Sequence, residues 1–232
     1  MEDIDAIAVL QDPVRRRLYE YVAAQGREVG RNEAAEAAGV ARTLAAHHLD
    51  RLTEAGLLES GSRRLTGRSG PGAGRPAKVY TRARVERSVS LPARDYRTAA
   101  ELLAEAAEEA GLDAGLCAAA RRRGEALRGG AAPCGGPAEA AALLAARGYE
   151  PHLEDVEHAE GAAGSAAPVV RMRNCPFHAV AERFPPLVCG MNLALLEGLL
   201  GTDGPVRARM DPRPGECCVV VEAAPGSKNN DD

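Results

Sequence analysis

Four cysteines in the C-terminal third of the chain carry side chains that can bind a metal. Cys175, Cys189 and the adjacent Cys217 and Cys218 follow the pattern C-x13-C-x27-C-C. Zinc ribbons and ferredoxins usually place cysteines only about two to four residues apart, so this site has to be assembled from separate elements. Each cysteine lies at the edge of a predicted helix or strand, where the fold can bring them together. Because thiolates are soft ligands, the pattern favours an iron–sulfur cluster or zinc.

Cys175, Cys189 and Cys217 are the preferred ligands. Successive side chains of a strand point to opposite faces, so Cys217 and Cys218 of the predicted strand ECCVVVEA are not expected to ligate together. Cys217 is preferred of the two because it follows a Pro-Gly turn, where a ligand is still exposed. Cys218 and His178 are the weaker candidates, and the fourth ligand is otherwise left open.

Other interpretations of these cysteines stay open. The thiols are also compatible with small buried hydrophobic residues, with a zinc centre, or with a reversibly oxidised thiol switch. A cysteine nucleophile with His178 as its base is disfavoured, because no acidic orienting residue and no substrate-binding signature accompany the pair. The chain is therefore not predicted to be an enzyme. Cys117, in a helical pattern, and Cys134, in a Gly/Pro loop, are not predicted as ligands.

A helix-turn-helix is predicted near the N-terminus. Residues 6–24 place apolar side chains at spacings of three and four, with a new helix start at Asp12-Pro13. A short helix over 32–39, with Asn32 as its N-cap, and a second helix over 42–55 follow, joined by a turn at Gly39. The N-terminal end of the second helix is the part that reads base edges in the major groove. His47 is expected to face that groove, whereas His48 is expected to pack inside.

A basic hairpin follows this second helix. Two short strands, LLES and AKVYTRA, flank the loop SRRLTGRSGPGAGRPA, and residues 60–88 hold eight basic side chains against one acid. Such a wing neutralises phosphates or enters the minor groove. The predicted base-reading residues are Arg42, Thr43 and His47. Arg51 is a further DNA-binding candidate, and the predicted phosphate contacts are Arg63, Arg64, Arg68, Arg75 and Lys78. The local positive charge favours double-stranded DNA as a partner although the net charge of the chain is −4.

Length and composition set the class of protein. The 232 residues suit two domains, and the abundance of Ala, Leu, Glu and Arg predicts a mainly α fold with small β content. No apolar run is long enough to span a bilayer, and the N-terminus lacks the features of a signal peptide. We expect a cytoplasmic protein that is associated with the nucleoid when bound to DNA. Its thiols should stay reduced in that compartment.

Four segments are predicted. Residues 1–91 form the winged helix-turn-helix, 92–128 form linker and dimerisation helices, 129–224 form a small α/β sensor domain, and 225–232 form a disordered tail. The boundary is placed in the Gly- and Pro-rich stretch 129–139. In the sensor domain, strands are expected in GYEPHLEDV, PVVRMRN, PVRARMD and ECCVVVEA, and helices in PAEAAALLAARG, FHAVAERF and LVCGMNLALLEGLL.

Both halves of the chain resemble one group of bacterial regulators. DPVRRRLYEYVA, EAAEAAGVARTLAAHHLDRLTEAGLLE and GRPAKVY resemble the winged-helix region of ArsR-type repressors. NCPFHAVAERFPPLVCGMNLALLEGLL and PGECCV resemble the sensor region of the actinobacterial Suf-operon repressors within that group. The four-cysteine pattern of the cyanobacterial members matches only in its x13 interval. The three-cysteine actinobacterial variant fits better.

This resemblance implies a homodimer that places two recognition helices about 34–36 Å apart on operator DNA. It implies an iron–sulfur cluster, four-iron rather than two-iron, on the cysteines that match Cys175, Cys189 and Cys217. It also implies a repressor of iron–sulfur cluster assembly or redox-response genes that is active with the cluster bound.

Overall fold

The chain forms two units, residues 1–94 and 95–232, in a computed structural model that describes residues 2–63, 76–155 and 168–224. The described residues are mainly helical with two small antiparallel sheets, which confirms the expectation from composition. Among them, no helix combines the length and the apolar character that a bilayer crossing needs.

Four helices build most of the first unit. They are α1 (Glu2–Ala8), α2 (Pro13–Gln25), α3 (Arg31–Ala38) and α4 (Arg42–Glu54), with a 3-10 turn at Val9–Gln11. The helix restarts at Pro13 as predicted, because the Asp12 carboxylate accepts hydrogen bonds from the backbone N–H groups of Val14 (2.9 Å) and Arg15 (3.0 Å). Gly39 ends α3 in the left-handed conformation, which glycine adopts without a Cβ clash. A three-residue connection then leads directly into α4.

Three strands complete this unit: β1 (Val29–Gly30), β2 (Leu58–Arg63) and β3 (Ala77–Arg82). The order is β1-β3-β2, and all pairs are antiparallel. The β2–β3 hairpin is the predicted wing, and its tip, residues 64–75, lies outside the described residues. β1 was not predicted. Because β1 leads straight into α3 with Gly30 as N-cap, the prediction of Asn32 as the cap was wrong.

The core of the first unit lies between the helices and this sheet. Apolar residues predicted on the inner faces of α2 and α4 are fully buried, among them Leu18, Leu49 and Leu52. Tyr80 of β3 is also fully buried and joins the same cluster. The helical spacing of the apolar residues therefore determines which faces of α2 and α4 are left for solvent.

The described part of the second unit holds five helices: α5 (Tyr96–Glu109), α6 (Asp113–Arg128), α7 (Pro137–Ala145), α8 (His178–Ala181) and α9 (Pro185–Leu200). α6 and α9 are in direct backbone contact. A Cβ atom placed on Gly124 would lie 2.1 Å from the Leu195 carbonyl oxygen, and one on Gly198 would lie 2.1 Å from that of Arg121. The two helices can approach this closely only because both positions are glycine.

This packing places the boundary between the two units earlier in the chain than the sequence analysis did. The sequence placed it in residues 129–139, with 92–128 as a separate linker, whereas the structure divides the chain after Arg94. α6 belongs to the second unit because it packs along α9, and the loop before α7 is tied down by a hydrogen bond from Cys134 N–H to the Leu200 carbonyl (2.8 Å). The predicted tail, 225–232, lies outside the described residues.

A four-stranded sheet covers the other side of this unit. Its strands are β4 (Pro151–Glu154), β5 (Val169–Met172), β6 (Val206–Met210) and β7 (Val219–Ala223), in the order β4-β5-β7-β6. All four lie within predicted strands. Arg171 of β5 is only 2% exposed and pairs with the carboxylates of Glu154 and Asp211. This satisfied buried charge joins β5 to the segment that precedes β7.

Candidate nucleic-acid interface and cysteine site

The solvent-facing side of α4 carries the predicted base-reading residues. Arg42, Thr43 and His47 are exposed on the first half of the helix. On the opposite side, His48 is only 7% exposed. His48 is therefore packed as predicted, and His47 is exposed, while its place in the DNA groove stays a prediction.

An open cleft of about 710 Å3 lies between the starts of α3 and α4 and the wing strands. It is lined by Arg31, Asn32, Arg42 and Lys78 and by small residues of β1, β2 and β3. The residues that precede α3 and α4, Gly30 and Ala41, provide no side-chain cap. The first N–H groups of both helices are thus available for an anion, and the helix dipoles favour negative charge there.

Asp50 of α4 connects the recognition helix to the wing. Its carboxylate accepts hydrogen bonds from Lys78 Nζ (2.7 Å), Tyr80 Oη (2.7 Å) and Arg31 Nη2 (3.2 Å). Burial raises the pKa of Asp50, but the bonds from Lys78 and Tyr80 and the nearby positive charges outweigh it and lower the pKa. Burial and the bond to Asp50 raise the pKa of Tyr80 to about 12. The network fixes α4 against β3 with Asp50 charged and Tyr80 neutral.

Several predicted DNA contacts have other partners in the structure. Lys78 is paired with Asp50, so part of its charge is neutralised inside the protein. Arg51 pairs with Glu54 (2.9 Å) and lines a second cleft, with Asp5 and Arg87, rather than the cleft beside the wing. Arg63 lies 3.6 Å from Glu28.

One residue of this interface was not predicted from the sequence, and three predicted residues lie outside the described residues. Arg31, at the start of α3, lines the cleft and was not predicted, since a single arginine there gives no periodic signal. Arg64, Arg68 and Arg75 lie outside the described residues.

Comparison with known proteins identifies this region. A family model described as a helix-turn-helix domain matches residues 10–61. The first unit carries a helix-turn-helix domain. No curated protein and no solved structure matches the chain. The match covers α2 to β2 and supports a DNA-binding transcriptional regulator of the winged-helix kind.

His48 makes the stability of the helix-turn-helix domain depend on pH. Burial lowers the pKa of this imidazole, and its Nδ1 has no hydrogen-bond partner. Below the ordinary imidazole pKa of about 6.5, the unfolded chain binds the proton more readily than the folded one, so stability falls as the pH drops. We expect His48→Gln to reduce this fall between about pH 7 and the lowered folded pKa. Urea unfolding curves of both chains across that range measure it, and parallel curves would contradict the assignment.

In the second unit of this helix-turn-helix protein, four thiols come together from three segments. Cys175 precedes α8, Cys189 lies in the first half of α9, and Cys217 and Cys218 precede β7. Interaction with Cys217 and burial raise the pKa of the Cys175 thiol, and burial and interaction with Cys218 raise the pKa of the Cys189 thiol. Cys189 and Cys217 are buried, whereas Cys175 and Cys218 are half-buried. The sequence analysis expected Cys175, Cys189 and Cys217 to approach one another because each lies at the edge of a predicted element.

Cys217 lies in surroundings that favour its thiolate. The interaction with Cys175 lowers the pKa of Cys217, and backbone N–H groups at Val219 and Cys218 act in the same direction. Asn192 Nδ2 also donates to Cys217 Sγ (3.4 Å). By contrast, the interaction with Cys217 and burial raise the pKa of Cys175. The negative charge in this group is therefore best stabilised on Cys217.

Asn192 and Tyr149 form a support that the sequence analysis missed. Tyr149 Oη donates to Asn192 Oδ1 (2.6 Å), and both side chains are almost fully buried. This bond occupies the amide oxygen, so the amide nitrogen is left to face Cys217. The sequence could have indicated the role of Asn192, since it is the lone amide in the apolar run LVCGMNLALLEGLL. It also lies three residues after Cys189, on the same face of a helix.

The remaining candidates do not join the four thiols. The His178 side chain is 68% exposed, and its Nε2 lies 3.2 Å from Glu182 Oε1. Cys117 of α6 faces α9, where its Sγ lies 3.7 Å from the position that a Cβ on Gly190 would take. The Cys134 thiol donates to the Gly136 carbonyl (3.5 Å).

Within the described ranges, no three His, Cys, Asp or Glu side chains surround one point as ligands of a single metal ion. The ligands of a multi-iron cluster bind different iron ions and need no common centre. Thiols are the residue type that such a cluster takes as ligands, and N–H groups directed at a ligand sulfur stabilise its charge.

Proposed function

We propose that this protein is a dimeric winged-helix repressor whose operator affinity is controlled by an iron–sulfur cluster on Cys175, Cys189 and Cys217. The observation that carries the proposal is the position of Cys217 in a chain with a helix-turn-helix domain. Cys217 accepts a hydrogen bond from Asn192, three residues after Cys189 on α9, and lies in the apolar cluster against which Cys175 packs. The resemblance to Suf-operon repressors adds the cluster type, four-iron, and the target, genes of cluster assembly or redox response. No catalytic role is assigned.

Operator binding rests on the exposed start of α4. Arg42 can place its planar fork against a guanine edge, and the open N–H groups of α3 and α4 can hold phosphates. We expect Arg42→Ala to weaken operator binding by about tenfold or more, because a bidentate base contact contributes about 1–3 kcal/mol. Fluorescence anisotropy at fixed salt measures this.

Arg51→Ala is the matched control for Arg42→Ala, since both arginines are exposed on α4. Arg51 is already paired with Glu54 and lies outside the cleft. Its replacement should change affinity less than about threefold, since surface ion pairs contribute little. A larger loss with Arg51→Ala than with Arg42→Ala would contradict the interface described above.

The dimer is proposed to form through α5. Tyr96, Ala99, Leu103, Ala106 and Ala110 repeat at alternating spacings of three and four residues, and all are exposed. Tyr96 is 75% and Leu103 is 73% exposed, and α5 has no buried residue. Such a stripe is the seam of a two-helix coiled coil. A second copy of the chain presents the same stripe and is therefore a fitting partner.

The charges of α5 favour an antiparallel pair. Glu105, Glu108 and Glu109 lie near its C-terminal end, and Arg97 lies near its N-terminal end. A parallel pair would bring the acidic ends together, whereas an antiparallel pair separates them and opposes the two helix dipoles.

When bound, the cluster supplies a redox- and iron-sensitive cross-link between the thiols. Cys175, Cys189 and Cys217 would hold it, with Asn192 and the backbone N–H groups stabilising the sulfur of Cys217. α9 carries Cys189 and lies in backbone contact with α6. Through Ala104 and Ala107, α5 joins the apolar cluster of Phe184 and Leu187 at the start of α9. The cysteine site and the proposed dimer helix thus share one packed body, so a change at the cysteines can alter the dimer.

Metal analysis tests this proposal. Anaerobically purified protein should contain iron and acid-labile sulfide in equal amounts, with the visible absorption of a cluster, and Cys175→Ser should lose both. Cys117→Ser is the control, because Cys117 lies outside the four thiols. Operator DNA should bind the cluster-loaded form more tightly and, by linkage, slow the loss of the cluster.

The paired thiols also favour a second candidate, a zinc or thiol-redox sensor on the same residues. Stoichiometric zinc, or reversible oxidation in a metal-free protein that still binds DNA, would replace the cluster proposal with this one.

A further inference from the structure

Asp50 places a negative charge beside the cleft that is proposed to receive DNA. It lies further along the same helix as Arg42, and it pairs with Arg31 and Lys78, which both line the cleft. A carboxylate at this position repels the phosphates of a duplex. Its role in a DNA-binding unit therefore has to lie in its effect on the two cations.

Asp50 and Tyr80 together hold these two cations in fixed positions. Lys78 Nζ lies 2.7 Å from Asp50 Oδ1, and Arg31 Nη2 lies 3.3 Å and 3.2 Å from the two carboxylate oxygens. Tyr80 Oη donates to Asp50 Oδ1 (2.7 Å) and accepts from Arg31 Nε (2.9 Å). Because Tyr80 is fully buried, its hydroxyl has a fixed place. The core of the first unit thus determines where both cations lie.

These bonds leave part of each cation for a ligand. Arg31 uses Nε and Nη2 in them, whereas Nη1 takes no part, and the ammonium group of Lys78 has three protons to donate. The Arg31 side chain is 30% exposed and that of Lys78 is 36% exposed. Two positive charges also outweigh one negative charge, so attraction for an anion remains. A phosphate in the cleft can therefore bind both cations while they stay paired with Asp50.

Fixed cations affect operator DNA and other DNA differently. Attraction between phosphates and cations supplies essentially all of the affinity for non-operator DNA, and it is strongest when the cations can follow the duplex. On an operator, the base contacts of α4 set the register, so each phosphate arrives at one place. Cations that are already held at that place lose little freedom on binding. Pairing with Asp50 therefore lowers the affinity for non-operator DNA more than the affinity for the operator.

We propose that Asp50 is a specificity-determining residue, which restrains Arg31 and Lys78 at the cleft so that non-operator DNA is bound less tightly relative to the operator. Arg31 is the phosphate contact that it positions. This inference rests on the DNA binding in the proposed function and is independent of any cluster on the cysteines.

The test compares two duplexes of equal length, one selected by the anaerobically purified wild-type chain from a random library and one of scrambled sequence. Fluorescence anisotropy gives both affinities over a series of salt concentrations. Asp50→Asn should bind the scrambled duplex about fivefold more tightly, because a repelling charge is removed, and the selected duplex no more tightly. The ratio of the two affinities should therefore fall about fivefold.

Two further variants separate positioning from charge. Tyr80→Phe removes the shared hydroxyl without changing any charge, so it should lower the same ratio through weaker binding of the selected duplex. Arg31→Ala should weaken both duplexes alike and reduce the salt dependence by about one phosphate contact. Glu54→Gln is the matched control, since it removes a carboxylate of α4 whose partner, Arg51, lines the other cleft. It should leave the ratio at the wild-type value.

An unchanged ratio in Asp50→Asn, or an equal fall in Glu54→Gln, would overturn the role of Asp50. Equal weakening of both duplexes by Asp50→Asn and Tyr80→Phe would assign the network to folding and also overturn the proposal. If Arg31→Ala keeps the wild-type salt dependence, the phosphate contact is wrong. A wild-type chain that selects no duplex would instead overturn the proposed DNA binding itself.

Discussion

Replacing Gly198 with alanine should destabilise the second unit by about 3 kcal/mol or more. The new Cβ would lie 2.1 Å from the Arg121 carbonyl oxygen and 3.0 Å from the Glu125 nitrogen. These are backbone atoms of α6, so no flexible side chain can move aside, and the two helices have to separate. A loss of this size is a large part of the stability of a typical domain. Urea unfolding followed by circular dichroism measures it.

Gly190→Ala is the matched control on the same helix. Its Cβ would meet only Cys117 Sγ, at 3.7 Å, which is an ordinary contact. Alanine is also the better helix former, so this variant should be no less stable than wild type. Gly124→Ala, on the facing side of the same contact, should match Gly198→Ala, since its Cβ would lie 2.1 Å from the Leu195 carbonyl oxygen. Equal stability of Gly198→Ala and Gly190→Ala would contradict the close contact between α6 and α9.

Gly198→Ala should also disturb the cysteine site, because α9 carries Cys189 and Asn192. If the helices separate, Asn192 loses its fixed position between Tyr149 and Cys217. The variant therefore tests whether the packing at one end of α9 affects the position of the thiols at the other end.

The helix-turn-helix could be predicted because its signals are local. Apolar residues at helical spacing assign the buried faces of α2 and α4, and Asp12-Pro13 and Gly39 set helix ends through their own backbone preferences. The same spacing separates His47 from His48. β1 gave no such signal, since two residues show no alternation, and it forms only because Val29 pairs with Tyr80 of β3.

The parts that were missed depend on contacts between distant residues. A charge count treats Lys78 as a free cation, whereas Asp50, distant in sequence, neutralises it. Glycines in α6 and α9 look like weak helix positions, and only the facing backbone explains them. The argument that separated Cys217 from Cys218 assumed a strand three residues longer than β7. Strand ends are poorly defined by sequence, and here the start of β7 decides whether side-chain alternation applies to the two cysteines.

The second large effect concerns the proposed dimer. Leu103→Glu should convert the protein to a monomer and weaken binding to a two-half-site operator by about 100-fold or more, because linked half-sites gain affinity from each other. Leu103 lies near the centre of the stripe on α5, so the change would bring the new carboxylates of the two chains together in an apolar seam. Leu103 is 73% exposed in the single chain, so the monomer should stay folded. Analytical ultracentrifugation and anisotropy with an operator selected by the wild-type chain measure the two effects.

Leu127→Glu is the control, since Leu127 is an exposed leucine on α6, outside the stripe. It should leave both mass and affinity unchanged. A half-site duplex separates the loss of pairing from damage to the helix-turn-helix. One recognition helix contacts a half-site whether or not a second chain is present, so Leu103→Glu and wild type should bind it equally. Reduced half-site binding would place the defect in the DNA-binding unit. A Leu103→Glu dimer with full operator affinity would move the interface away from α5.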